Sequence, residues 1–215
     1  MSDRRLTPEL LLGAYAAGVF PMADSREDPA VYWVEPRRRG VIPMDGFRVS
    51  RSLTRRLRRD DYTFALNRDF PAVIDACADR SETWINETIR RLMMELHSDG
   101  HAHSFEIYDL DGKLMGGMYG LSIGGAFFGE SMFSHARDGS KLALTWAIDH
   151  LARAGITLFD TQFVTDHLVS LGAQEISRET YLARLHAVID RDSDITGTTV
   201  ETDRHAVVQR MTQTS

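Results

Sequence analysis

The sequence predicts an α+β protein, with a small N-terminal α/β region at residues 1–75 and a larger α+β domain at residues 76–190. First, 215 residues that are 43% hydrophobic and 26% charged are typical of a globular chain with a sizeable core. Second, three strand-like segments joined by turns follow one another between residues 103 and 133, which predicts an antiparallel meander. Third, helical and strand-like segments alternate after them, up to a polar tail at residues 191–215.

Two helices and one strand are predicted in the N-terminal region. "TPELLLGAYAAG" has Thr7 as N-cap, Pro8 at the first helical position and Gly18 at its end. "VYWV" predicts a short strand. "SRSLTRRLRR" places Leu53 and Leu57 on one face and Arg on the others, which predicts a basic amphipathic helix.

The larger domain begins with the helical pattern "WINETIRRLMMELHSDG", which ends at Gly100. "HSFEIYD", "KLMGGMYGLSI" and "AFFGESMF" are the three strands of the meander. A helix over "DGSKLALTWAIDHLARAG", a strand over "ITLFDTQF", a short helix over "TDHLVSLG", a strand over "AQEI" and a helix over "SRETYLARLHAVI" follow. The tail after Asp190 is polar, so we expect it to be loosely ordered.

The charge distribution points to a local anionic partner. The net charge is −6, yet Arg is concentrated in "EPRRRG" and in "FRVSRSLTRRLRRD". No apolar run approaches the roughly 18 residues of a membrane span, and the N-terminus lacks the apolar core of a signal peptide. The single Cys77 suits a reducing compartment. We therefore expect a cytoplasmic protein.

Three polar side chains in otherwise apolar strands are candidates for chemistry. Glu130 lies between aromatic and thioether residues in "FFGESMFS", where an unpaired carboxylate is costly. Asp160 and Gln162 are two apart in "LFDTQF" and so project from one face of a strand. The alternative for each is a structural side chain with satisfied hydrogen bonds.

The order of elements in the larger domain is similar to that of the N-acetyltransferase superfamily, and a set of motifs is more specific. "AYAAGVFPM", "YWVEPRRRGVIP", "VSRSL", "TWI", "LHSDGHAHSFEIY", "GGMYG", "FFGESMFS", "DTQF", "DHLVSLGA" and "YLARL" occur in that order over roughly residues 7–185. They resemble the bacterial leucyl/phenylalanyl-tRNA–protein transferases. The resemblance implies transfer of Leu, Phe or Met from aminoacyl-tRNA to the α-amino group of proteins that begin with Arg or Lys, marking them for degradation. It implies no metal or organic cofactor, because the charged tRNA is the activated donor.

The resemblance also implies residue roles. The catalytic positions are Glu130, Asp160 and Gln162. The aminoacyl pocket is formed by Met118, Phe127, Met132 and Leu144. Adenine and tRNA are bound by Trp33, Trp84, Arg51, Arg55, Arg58, Arg59, Ser140 and Lys141. The proton of the acceptor amine could pass to Asp160 directly, to Asp160 through Gln162, or to a ribose hydroxyl of the tRNA, while Glu130 could hold the acceptor's cationic groups.

The proposed pocket carries a structural condition. Phe127 and Met132 are five residues apart, so on a regular strand their side chains face opposite sides. Both can line one pocket only if the strand contains a bulge, and Gly129 is the natural position for it. One departure from the family is that Asp138 and Gly139 stand where Asn and Ala are usual, close to the RNA-binding residues.

Two other functions are compatible with parts of the pattern. An acyl-CoA donor would require a glycine-rich phosphate loop before the long helix, but "SHARDGSKLAL" has only Gly139 there. An inert tRNA-binding module would not need the acids. A metal site at His97, His101 and His103 is not expected, because no Cys or acid lies nearby at ligand spacing.

Overall fold

The computed structural model describes residues 6–213, which form a mixed sheet with helices on both faces. The helices are α1 (Pro8–Ala16), α2 (Arg51–Leu57), α3 (Phe70–Ala78), α4 (Glu87–Ser98), α5 (Gly139–Arg153), α6 (Asp166–Ser170), α7 (Arg178–His186) and α8 (Arg204–Gln213). The strands are β1 (Phe20–Met22), β2 (Tyr32–Val34), β3 (Arg38–Ile42), β4 (Thr63–Leu66), β5 (Ala102–Tyr108), β6 (Leu114–Ile123), β7 (Ala126–Ser134), β8 (Leu158–Gln162) and β9 (Gln174–Ser177). Among the described residues, no helix is long and apolar enough to span a membrane.

Seven strands form one sheet in the order β4-β5-β6-β7-β8-β3-β9, and β1 and β2 form a separate antiparallel pair. The predicted meander is confirmed, since β5, β6 and β7 pair antiparallel in sequence order. Strand β8 pairs parallel to β7. The architecture is therefore α+β, with a mixed sheet and a small antiparallel sheet.

Strands from the N-terminal region are integrated into the main sheet. Strand β3 lies between β8 and β9 and pairs antiparallel with both, while β4 pairs with β5 at the opposite edge. These pairings cross the position between residues 75 and 76, where the sequence predicts a boundary. Sequence patterns did not indicate β1, β3 or β4, because these strands are only three to five residues long. Helix α3 was also not predicted, although its buried residues Phe70, Val73, Ile74 and Cys77 follow helical spacing.

The alternation of side chains along the strands fills two cores, one on each face of the sheet. Phe127 belongs to the cluster beneath α5, whereas its neighbour Phe128 belongs to the cluster beneath α1, α3 and α4. Fully buried aromatic residues occur in both clusters. The two cores enclose the central strands, and the candidate site lies beside the middle of β7 and the end of β8.

The C-terminal segment differs from its prediction. Residues 204–213 form α8, which packs on α2 and α5 and buries Val207, Val208 and Met211. The expectation of a loosely ordered tail is therefore wrong for these residues. Three apolar side chains in a polar stretch are enough to complete one face of the core.

Candidate active site

The candidate site lies where β7 and β8 stop pairing. Their parallel ladder includes Phe127 opposite Phe159 and ends with Phe128 opposite Asp160. Beyond this point a cavity of about 290 Å³ lies between the strands. Its lining includes Phe20, Pro21, Met22, Arg80, Trp84, Met118, Gly129, Glu130, Ser131, Met132, Phe159, Thr161, Gln162, Phe163 and His167.

A bulge in β7 places Glu130 at this gap. Gly129 pairs with Gly120, and Ser131 pairs with Tyr119, so Glu130 is the extra residue. The predicted bulge near Gly129 is confirmed. It also brings Phe127 and Met132 into the same core cluster although they are five residues apart.

Glu130 is held by two hydrogen bonds to one of its oxygens. The Tyr15 hydroxyl donates to Oε1 at 2.8 Å, and Gln162 Nε2 donates to the same atom at 3.0 Å. Burial raises the pKa of Glu130 to about 8, although both hydrogen bonds act in the opposite direction. A carboxyl group with this pKa exchanges protons in the neutral range, as a general acid or base requires.

Asp160 is fully buried and bound to Arg39. The Arg39 guanidinium donates from Nε to Oδ1 at 2.9 Å and from Nη2 to Oδ2 at 2.6 Å. The Tyr181 hydroxyl donates to Oδ2 at 2.8 Å. Arg39 also donates to the Gly18 carbonyl and lies between the Phe20 and Tyr181 rings. This buried ion pair fixes the end of β8.

Gln162 adopts an uncommon backbone conformation that directs its side chain toward Glu130. Its φ is 56°, and the Phe163 N–H donates to the Thr161 carbonyl at 2.6 Å, which closes a γ-turn around Gln162. The Gln162 N–H donates to Asp160 Oδ1 at 2.8 Å. Hydrogen bonds therefore link the ion pair to Glu130 through Gln162, so the three predicted catalytic positions are brought together.

The four predicted pocket residues take two kinds of position. Met118 and Met132 line the cavity. Phe127 and Leu144 are fully buried and are not among its lining residues. Phe127 packs behind Phe159, with their ring centroids 5.3 Å apart, and Phe159 lines the cavity. The roles of all four in substrate binding remain predictions.

The predicted adenine-binding tryptophans lie near the cavity mouth. Trp84 lines the cavity. Trp33 does not, but it is 40% exposed and pairs on β2 with Pro21, which does line it. An exposed Trp leaves a ring face open for stacking.

The predicted tRNA-binding cations lie on one surface. Arg51, Arg55, Arg58 and Arg59 are exposed on α2 and just after it. Arg55 and Arg59 line a groove of about 440 Å³ together with residues 136–138. Ser140 and Lys141 lie in the first turn of α5, directly after Asp138, whose φ is 65°. Asp and Asn tolerate this left-handed conformation better than most residues, which accounts for Asp138 at this position.

Several site residues were not singled out from the sequence. Tyr15, Arg39 and Tyr181 come from α1, β3 and α7, which are separate elements from the strands of Glu130 and Asp160. The motif "EPRRRG" contained Arg39, but nothing in it marked the third arginine as buried.

The histidines have structural contacts: His97 stacks on Phe70, and His103 contacts Asn67. Within residues 6–213 no cluster of three or more His, Cys, Asp or Glu could hold a metal.

Comparisons with known proteins show the family of the chain. Family models described as "Leucyl/phenylalanyl-tRNA protein transferase" and its N-terminal domain match residues 41–186 and 4–37. A "Leucyl/phenylalanyl-tRNA--protein transferase" of Ruegeria sp. (strain TM1040) is 56% identical over 98% of this chain and 99% of its own length. One from Cereibacter sphaeroides (strain ATCC 17029 / ATH 2.4.9) is 54% identical over 100% of both chains. A solved structure of L-PGS from Bacillus licheniformis shares 16% identity, with a TM-score of 0.41 over 71% of this chain and 51% of its own. From the family models and the full-length relatives, the chain belongs to the leucyl/phenylalanyl-tRNA protein transferase family.

Proposed function

We propose that this protein transfers Leu, Phe or Met from aminoacyl-tRNA to the α-amino group of proteins beginning with Arg or Lys, marking them for degradation. The names of the relatives support an aminoacyl-tRNA donor and a protein acceptor. The observation that carries the proposal is the cavity between β7 and β8, where the carboxyl group of Glu130 faces an apolar wall. Such a site can hold an apolar amino acid and a cationic amine side by side.

The apolar wall suits several aliphatic, thioether or aromatic side chains that are not branched at Cβ. Met118, Met132 and Phe159 line it, and thioether side chains adapt to ligands of different shape. In such a pocket, each methylene that a competing side chain lacks weakens its binding in the transition state by roughly 1–3 kcal/mol. This is enough to reject Ala but too little to separate Leu from Met.

In our proposal Glu130 binds the acceptor's α-ammonium group and accepts its proton. The pKa of an α-amino group is about 7.7–8.0, and that of Glu130 is raised by burial to about 8. Proton transfer between groups of matched pKa requires little free energy. The neutral amine can then act as a nucleophile.

The transfer reaction balances with Glu130 as the single protein base. The amine nitrogen attacks the ester carbonyl carbon, a C–N bond forms, and the C–O bond to the ribose breaks. The nitrogen loses two protons in all. One reaches the leaving ribose oxygen and the other passes from Glu130 to solvent, so the carboxylate is regenerated.

Asp160 and Gln162 act in this scheme by positioning Glu130. Asp160 already accepts hydrogen bonds from Arg39, Tyr181 and the Gln162 N–H, and it does not line the cavity. This supports an indirect role in preference to direct removal of the substrate proton. Gln162 holds Glu130 in position by donating a hydrogen bond to its carboxyl group.

The donor's RNA extends from the cavity mouth in our proposal. Trp33 and Trp84 stack on the terminal adenine, while Ser140, Lys141 and the arginines at positions 51, 55, 58 and 59 contact the backbone phosphates without reading bases. The exposure of those arginines supports this role. No cofactor is needed, because the ester bond of the donor is already activated.

We extend the proposal to the finer fold and the location. Residues 76–190 contain a three-strand meander, the long helix α5 and the parallel strand β8, an order that supports an N-acetyltransferase-like fold. A cytoplasmic location is proposed because both substrates, charged tRNA and newly exposed protein N-termini, occur there.

A transfer assay tests the reaction. Purified protein is incubated with radiolabelled Leu-tRNA and a peptide beginning with Arg, and a matched peptide with an acetylated N-terminus serves as the control. We expect label on the free peptide alone. Absence of transfer from Leu-, Phe- and Met-tRNA would overturn the proposal, and transfer from an acyl-CoA in their place would support the alternative donor.

A further inference from the structure

A second cavity adjoins the first, and the scheme above assigns no ligand to this space, although Met132 and Ser140 line it. It measures about 500 Å³, and Arg80, Met132 and His167 line both cavities. Its remaining lining residues are Ala76, Asp79, Phe133, Ser134, His135 and Ser140. The three shared residues form a throat through which one ligand could occupy both spaces.

His167 has an unsatisfied nitrogen at this throat. Its Nε2 is buried and, within residues 6–213, has no hydrogen-bond partner. An unsatisfied buried polar atom costs about 1–3 kcal/mol, and a ligand that accepted a hydrogen bond from this nitrogen would remove that cost. Burial and, secondarily, the charge of Lys141 lower the pKa of His167, which keeps the ring neutral and places a cation nearby.

Arg80 supplies a fixed positive charge on the same wall. Its Nη2 donates to the Ser131 hydroxyl at 3.1 Å and to the Met132 carbonyl, which anchors the guanidinium to β7. Among the described residues, the other guanidinium nitrogens of Arg80 make no hydrogen bond. Asp79 lines the second cavity as well, so the local charge is mixed, with Lys141 close enough to affect His167.

We propose that the second cavity holds the phosphate that joins the last two nucleotides of the donor tRNA, bound by Arg80 and His167. The inference rests on the proposed function. The aminoacyl ester and the 5′-phosphate are attached to the same ribose, so an ester in the first cavity brings the phosphate to the throat. A guanidinium and an imidazole N–H are both suitable donors to a phosphodiester oxygen.

Two stable donor analogues test this site directly. They are 3′-leucylamido-3′-deoxyadenosine and the same compound with a 5′-phosphate, and their Kd values are measured by calorimetry. We expect the phosphate to tighten binding to the wild-type protein by about tenfold, equivalent to about 1.4 kcal/mol. In Arg80→Gln and in His167→Ala we expect the two Kd values to approach each other.

Matched variants on a distant helix control for general effects. Arg184→Gln and His186→Ala change exposed residues of α7 and should keep the full difference between the two analogues. Melting curves establish that each variant is folded.

Equal Kd values in the wild-type protein would overturn the inference, as would an undiminished difference in both throat variants. A raised KM for the acceptor peptide with unchanged Kd for both analogues would assign the cavity to the acceptor instead. Transfer from Leu-tRNA separates the two proposals: active protein with equal Kd values refutes only the phosphate site, whereas inactive protein refutes the proposed function.

Discussion

At the scale of single residues, Glu130 owes its properties to the position where β7 bulges. The bulge removes it from the ladder and lets the Tyr15 hydroxyl and Gln162 Nε2 reach one carboxyl oxygen. Because burial outweighs these hydrogen bonds, its pKa is raised to about 8. One local feature therefore produces both the geometry and the basicity that we assign to the site.

Replacing the acid by its amide tests the assigned role. Glu130→Gln keeps an oxygen that can accept from Tyr15 and Gln162, but it cannot take a proton. We expect single-turnover transfer to fall by about 100-fold or more. In the wild type the rate should rise with pH up to about 8, because the carboxylate is the active form.

The variant also serves as the control for pH, since the acceptor amine titrates in both proteins. Between pH 6 and pH 9, the rate of Glu130→Gln should keep the pH dependence that the acceptor amine causes and lose only the part that Glu130 causes. A variant with a rate within threefold of wild type would eliminate Glu130 as the base.

The same substitution should stabilise the fold at alkaline pH. The pKa of Glu130 is about 8 in the folded protein and about 4.3 in an unfolded chain. Between these values the folded state binds more protons, so wild-type stability falls as pH rises. We expect the stability advantage of Glu130→Gln to grow from about pH 4.3 to about pH 8, by at most about 1.4 kcal/mol per pH unit, and then to level off.

Urea denaturation at pH 5, 6.5, 8 and 9 measures this difference. An advantage that is constant across the series would show that Glu130 titrates normally in the folded protein.

The ion pair between Arg39 and Asp160 is a second residue-scale feature with a measurable consequence. Their side chains are 1% and 0% exposed. Arg39→Met leaves Asp160 buried without its cation, so we expect a loss of about 3–5 kcal/mol in unfolding free energy. The double variant Arg39→Met with Asp160→Asn should recover part of this loss, because no uncompensated charge remains.

The neighbouring residue provides a matched control. Arg38 pairs with Glu175, and both side chains are at least half exposed, at 60% and 50%. Arg38→Met should therefore change stability by about 1 kcal/mol or less. Chemical denaturation of the wild type, Arg38→Met, Arg39→Met and the double variant measures these unfolding free energies. Equal losses for Arg38→Met and Arg39→Met would contradict a stabilising role for the buried ion pair.

At the scale of secondary structure, the bulged strand β7 sets the shape of the donor pocket. A Cβ at Gly129 would lie 2.9 Å from Phe159 Cε1, closer than real contacts. Gly129→Ala must therefore displace the Phe159 ring, which lines the cavity. We expect kcat/KM for Phe-tRNA to fall about tenfold further than for Leu-tRNA, since the larger side chain needs the lost space.

Gly13→Ala on α1 is the control, because nothing lies within 4 Å of a Cβ there. It should leave the preference unchanged and stabilise the helix by about 1 kcal/mol. An unaltered Phe-to-Leu ratio in Gly129→Ala would mean that Phe159 does not limit the pocket.

At the scale of the whole molecule, local patterns and long-range pairings were not equally predictable. The strands of the meander follow one another with clear alternation, and side-chain parity together with the pocket implied by the family resemblance predicted the bulge near Gly129. In contrast, the insertion of β3 between β8 and β9 joins residues about as far apart as Arg39 and Ile176. No local pattern encodes such a pairing.

The candidate site shows the same division. Glu130 was conspicuous because an acid interrupts the apolar strand β7, and Asp160 and Gln162 were conspicuous because they lie two residues apart on another strand, β8. Arg39, Tyr15 and Tyr181 reach the site only through tertiary folding. Their side chains are ordinary in their local sequences, so only the structure identifies them as the groups that hold the acids.

Helix α8 ties the end of the chain to the core, and its loss should affect the whole fold. Val207 and Val208 are 0% and 2% exposed, and Arg210 donates to the buried Asp149 of α5 at 2.6 Å. Val208→Asp puts a carboxylate in this interface, so we expect a loss of at least about 3 kcal/mol. Gln209→Asp adds the same group on the exposed side of α8 and should change stability by only about 0.5 kcal/mol. Denaturant unfolding compares the pair, and equal small effects would show that α8 does not contribute to the core.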